Sequence, residues 1–211
     1  APLVPLRQQR LIGCHSPKYD PAEYPTTECA IRATSGFTGT GLFNYSSAPG
    51  VTIESLCLLG KGQTVSGGLN GIDMGVSTSG EKQWWIKSCS FSAFNGAAIT
   101  GSMWVGDIRD RHTGRCGYGI KTNGAEGWTD VRIIGTQIYF CTNGGIEFDS
   151  TKRTGLVTII GSRVERSGGT YGNPAVPLNT NAFGIRLGNV NNIELIGVST
   201  DACSGPGLWI G

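Results

Sequence analysis

Apolar and polar positions alternate along this chain in short, recurring runs. Val51-Thr52-Ile53, Trp84-Trp85-Ile86, Val131-Arg132-Ile133, Val157-Thr158-Ile159 and Ile193-Glu194-Leu195 each place apolar side chains two residues apart. That period belongs to a β-strand with one buried face. Five residues after each of these runs stand Leu58, Phe91, Ile138, Val164 and Thr200, four of them apolar and expected to point inward again. A closing run follows, such as Gly71-Ile72-Asp73-Met74, Gly145-Ile146-Glu147-Phe148 or Gly184-Ile185-Arg186-Leu187. Ile86 to Ile99, Ile133 to Ile146 and Leu195 to Leu208 are each 13 residues apart, whereas Ile159 to Ile185 spans 26 and Ile53 to Ile72 spans 19.

A unit of this kind cannot bury its apolar face alone, so successive units must stack into a solenoid. The closing strands recur at positions 72, 99, 120, 146, 185 and 208, a coil of roughly 20–27 residues with one longer step. Three short strands per coil and no helical periodicity beyond about three turns predict an all-β fold, a single right-handed parallel β-helix. The glycines that open the closing strands are expected at corners requiring a positive φ.

Residues 1–27 hold five of the nine prolines and no alternation, and read as a lead-in or cap; residues 28–211 read as the β-helix, as a whole or as part of a longer one. Cys29 to Phe43 has the pattern of two strands joined by Gly-rich turns, a candidate first coil. Two stretches read as excursions from the solenoid: Ser102–Cys116, rich in Asp and Arg, and Gly168–Ala182, with two prolines. Such loops on a rigid scaffold are where binding groups are mounted. The last coil reaches Ile210-Gly211 without a polar capping unit, so a continuing chain or another subunit is expected to cover it.

Composition narrows the function. Charged residues make up 15% and the net charge is +2, which gives no electrostatic basis for nucleic-acid or membrane partners. No run of 18 apolar residues and no signal-peptide pattern occurs. The seven cysteines have no CxxC spacing. Cys141 and Cys203 share a column, but Ser167 lies between them, and two strand steps of about 4.8 Å are too far for a disulfide. The cysteines read as small buried hydrophobes of a chain folded in a reducing cytoplasm. Asn44-Tyr45-Ser46 is a single glycosylation sequon. His112 and Cys116 are half of a zinc spacing with no second half, so neither a metal nor a cofactor is assigned.

Stacking turns sequence columns into surface neighbours. Ser92, Tyr139, Glu165 and Asp201 form one outward column, which places two carboxylates on adjacent coils at a spacing near that of retaining glycosidases. Their mutual repulsion would favour protonation of one of them; alternatively Arg163 and Arg166 neutralise both. A second column reads Asp73, Thr100, Lys121, Glu147, Arg186 and Trp209, an alternating charge ladder that fixes register. Trp209, Trp85 and Tyr139 offer outward flat faces on which sugars or sister subunits stack, and Arg163 and Arg186 are candidate ligand contacts. Trp84 is expected inward.

The run Val51-Thr-Ile-Glu-Ser-Leu-Cys-Leu-Leu-Gly with Gly71-Ile-Asp-Met resembles the early coils of the pectate-lyase-like right-handed β-helix superfamily. Arg10-Leu-Ile-Gly and Cys29-Ala-Ile-Arg-Ala-Thr look like the strands leading into them, so the resemblance spans about residue 10 to the end. The clustered aspartates that hold calcium in the plant-cell-wall lyases are missing here. Bacteriophage tailspikes and tail appendages look closer, and that resemblance implies a homotrimer in a virion tail, folded in the host cytoplasm and contacting other tail proteins. It also implies binding of bacterial surface polysaccharide, with cleavage in many members. If the chain is catalytic, Glu165 and Asp201 are the candidate carboxylates of a glycoside hydrolase. The alternatives are a non-catalytic adhesion module of a tail appendage and a secreted polysaccharide lyase or hydrolase.

Overall fold

The structure is a computed structural model that describes residues 9–13, 30–45, 50–64, 66–76, 83–122, 127–148, 154–168 and 178–211. The described residues contain strands and no helix. The first coil comprises β1 (Gln9–Ile12), β2 (Ala30–Arg32) and β3 (Gly41–Asn44). The second comprises β4 (Gly50–Glu54), β5 (Cys57–Leu59) and β6 (Asn70–Asp73), and the third β7 (Gln83–Lys87), β8 (Ser90–Ser92) and β9 (Ala97–Gly101). The fourth has β10 (Val105–Arg109), β11 (His112–Gly114) and β12 (Tyr118–Thr122), and the fifth β13 (Val131–Ile134), β14 (Gln137–Tyr139) and β15 (Gly144–Phe148). The sixth has β16 (Val157–Ile160), β17 (Arg163–Glu165) and β18 (Phe183–Leu187), and the seventh β19 (Ile193–Ile196), β20 (Ser199–Asp201) and β21 (Leu208–Ile210).

Each strand pairs in parallel with its counterpart in the next coil, which yields three sheets of seven strands. Consecutive coils thus climb as a right-handed parallel β-helix, the hand that strand twist imposes on parallel crossovers. Its first strand, β1, lies within the Pro-rich residues 1–27 and pairs with β4.

Inward columns form the core. Ile53, Ile86, Ile108, Ile133, Ile159 and Leu195 stand in register through the first sheet, and all but Leu195 are fully buried. Leu58, Phe91, Thr113, Ile138, Val164 and Thr200 form the matching row of the second sheet. Trp84 is buried and meets the Tyr45 ring edge-on at 4.7 Å.

Two expectations are corrected. Ser102–Cys116 is no excursion: it supplies β10 and β11, the first two strands of a complete fourth coil. Three inward positions of that coil lack apolar character. Gly106 stands where neighbours carry Trp84 and Val131, Thr113 stands between Phe91 and Ile138, and Arg111 also points into the core. Ile108 also precedes Ile120 by 12 residues rather than 13. The segment 169–177 of the other expected excursion lies outside the described residues.

The glycines opening the closing strands are not positive-φ corners either. Gly71, Gly119, Gly145, Gly184 and Gly207 are absent from the left-handed positions, which include Ala93, Arg115, Phe140, Arg166 and Ala202 one corner earlier. What requires glycine there is space. A Cβ on Gly145 would lie 2.2 Å from Val164 Cγ1 and 2.6 Å from the Gly184 carbonyl, where second-sheet side chains press against the third sheet. The ladder of small residues is a packing device of the narrow corner.

Candidate functional site: an outward carboxylate pair on the second sheet

Three short strands of the second sheet, β14, β17 and β20, place alternate side chains on its outer face because their central residues Ile138, Val164 and Thr200 turn inward. The register pairs Gln137 with Arg163 and Ser199 in one column, and Tyr139 with Glu165 and Asp201 in the other. Gly114, not Ser92, is the next neighbour of Tyr139, since the fourth coil intervenes.

Glu165 and Asp201 therefore stand side by side. Arg163 forms an ion pair with Glu165 Oε1, and the same Nη2 lies 3.7 Å from Asp201 Oδ2. The repulsion expected between the carboxylates is met by this shared guanidinium. The Arg166 guanidinium carbon lies 5.5 Å from the Phe140 ring centre. The two acids differ in enclosure, with 15% of the Glu165 side chain exposed against 64% for Asp201. The Tyr139 hydroxyl donates to Gln137 Oε1 at 2.5 Å. Burial first, then the nearby Glu165 charge, raises the Tyr139 pKa, with Arg163 opposing. The phenol therefore stays protonated and able to donate.

The remaining candidates lie on other faces. Arg186 and Trp209 belong to the third sheet, in the ladder Asp73, Thr100, Lys121, Glu147, Arg186, Trp209. There the Arg186 guanidinium stacks 3.9 Å above the Trp209 ring, while Glu147 lies between Lys121 at 3.0 Å and Arg186 at 3.5 Å. Trp85 is outward on the first sheet, between Thr52 and Asp107. Tyr139, Arg163, Glu165 and Asp201 are thus brought together, and Trp85, Arg186 and Trp209 are not part of that cluster. No family model, curated protein or solved structure matches this chain. The parallel β-helix rests on its strand pairing, and no matching relative stands behind the narrower likeness to pectate lyases or tailspikes.

Other polar groups emerge only from the folded chain. A groove of about 750 Å³ runs over the first sheet at coils five to seven, with Arg132, Thr158 and Glu194 as its central column and Asp130 and Asn192 at its edge. Arg132 also holds the buried Asp107 through Nε at 2.6 Å. The signal for this groove was the middle residue of each apolar-x-apolar run, and for Gln137 its position two residues before Tyr139. His112 is outward in the column of Ser90 and Gln137, whereas Cys116 is buried. No group of three His, Cys, Asp or Glu side chains converges as a metal site among the described residues.

Proposed function

We propose that this chain is the β-helical body of a phage-tailspike-like protein that binds bacterial surface polysaccharide and cleaves it with Glu165 and Asp201. The observation that carries this reading is the pairing of two carboxylates on adjacent coils of an open outer face, beside a phenol and an amide. In the retaining mechanism, carboxyl groups about 5–5.5 Å apart divide the work. One gives its proton to the glycosidic oxygen as the C–O bond breaks. The other attacks the anomeric carbon, and water then releases the glycosyl group. Tyr139, Gln137 and Arg163 supply hydrogen bonds to sugar hydroxyls. The buried free thiols Cys57, Cys89, Cys116 and Cys141 support folding in a reducing cytoplasm before assembly into a virion tail. Exposed Trp104, Val105, Leu156 and Ile196 offer apolar surface to sister chains of a homotrimer.

The test is incubation with capsular or O-antigen polysaccharide while new reducing ends are counted. Glu165→Gln and Asp201→Asn are each expected to lower turnover by about 10³-fold or more with saccharide binding retained. Unchanged turnover in both would remove the assignment. A second reading, a non-catalytic adhesion module, is favoured by one observation: Arg163 engages both carboxylates at once. It predicts retained binding and no new reducing ends from the wild-type protein.

A further inference from the structure

The fourth coil carries a guanidinium inside the core. The inward column after the first corner runs Leu56, Cys89, Arg111, Thr136, Ser162 and Val198, small or apolar everywhere except at Arg111. Arg111 has no exposed surface. Its Nη2 donates to the Gly119 carbonyl at 3.3 Å, and its guanidinium carbon lies 5.2 Å from the Phe91 ring centre. Nε and Nη1 are buried and find no acceptor.

No carboxylate pairs with Arg111 among the described residues. The ionisable groups that act on its charge are the thiols of Cys116, Cys141 and Cys89, and its charge in turn acts on His112. Burial pushes Cys89 up to about 11, Cys116 up to about 12 and Cys141 well above its ordinary value, so all three are neutral near pH 7. Burial lowers Arg111 only to about 10, which leaves it charged. Beside it, the hydroxyls of Thr113 and Thr136 are also fully buried and without partners. Thr113 is two residues along the same coil, and Thr136 is the next member of the column. A buried charge is held at acceptable cost only when it is paired and its donors are satisfied.

We propose that this stretch of core, between coils four and five, is a binding site for a monatomic monovalent anion, chloride under cellular conditions. Arg111 Nε and Nη1 supply the charge-assisted donors, and the Thr113 and Thr136 hydroxyls supply neutral ones. One negative charge matches one guanidinium, and a single-atom ligand suits an interior packed to crystalline density. The anion is enclosed as coils four and five close, so it acts as a structural ligand of the folded chain.

The first test is crystallisation from bromide and measurement of anomalous scattering. A peak within hydrogen-bond distance of Arg111 Nε or Nη1 is expected, and ordered water alone at that position would overturn the proposal. In solution, the melting temperature should rise by about 3–5 °C per tenfold increase in chloride above the dissociation constant, with gluconate holding ionic strength constant. Arg111→Met should fold without that dependence, because an apolar isostere needs no counter-charge. Thr136→Val keeps the guanidinium and should weaken the chloride dependence, which tests the idea even if Arg111→Met does not fold. Equal wild-type melting temperatures in chloride and gluconate would overturn it.

Discussion

Val164 Cγ1 lies 2.2 Å from where a Cβ on Gly145 would sit, so one methyl group there must move the wall of the core. Gly145→Ala is expected to destabilise the fold by about 2–3 kcal/mol or more, the upper part of the range for overpacking in a rigid interior. Gly161 is the contrast, with open space around it but a φ of +55°. Gly161→Ala should cost about 1 kcal/mol through backbone strain alone. Urea midpoints of the two variants separate the causes, and equal losses would refute the packing account. His112 supplies a pH dependence. Burial and then the Arg111 charge lower its pKa below 6.5, so the unfolded chain binds the proton more readily than the folded one. This contribution is intact above pH 6.5 and is lost as pH falls through the window between 6.5 and the lower folded value. Urea midpoints at pH 7.5 and 5.0 should differ more in the wild type than in His112→Gln; an identical difference would exclude His112.

At the scale of the strand, alternation decides what a substitution costs. Ile133 and Ile134 are adjacent in β13, yet Ile133 is fully buried in the core row while Ile134 is half-buried on the outer side. Ile133→Ala is expected to lose about 2–5 kcal/mol. Ile134→Ala should lose about 1 kcal/mol or less, and chemical denaturation of the two would expose any error in register. The coils that could be read from the sequence were those whose first-sheet strand carries apolar side chains at both inward positions. Coils two, three, five, six and seven met that condition, and the carboxylate column on β17 and β20 followed from them. The fourth coil did not, because Gly106, Arg111 and Thr113 occupy its interior and are affordable only beside Trp84, Phe91 and Ile138 of its neighbours. Its omission also brought Tyr139 next to Ser92 one coil too soon.

For the molecule as a whole, each coil touches only the coils beside it, so stability is close to a sum of nearest-neighbour contacts. The seventh coil is covered on one side, and Leu208 and Ile210 are 45% and 68% exposed. Hydrogen exchange of the isolated monomer should be slowest in coils three to five and fastest in coil seven. The same measurement on a homotrimer should slow exchange wherever sister chains cover the apolar outer positions. Light scattering at three times 22.2 kDa identifies that species, and uniform protection in a proven monomer would contradict the nearest-neighbour picture.

The sequence by itself determined that the chain winds as a parallel β-helix, because a two-residue period repeated at coil-length intervals has no other way to bury every apolar face. It likewise fixed that Glu165 and Asp201 are neighbours, since stacking converts equal offsets into adjacency. Only the tertiary structure decided how those carboxylates are compensated, which face each aromatic occupies and where the fourth coil runs. Those outcomes depend on side chains from coils some 26 residues apart meeting across the core or over a corner, and no local pattern encodes such meetings. The charge of Arg111 belongs with them: in the sequence it sits in an Arg- and Asp-rich stretch, and only the winding of the chain brings it inside.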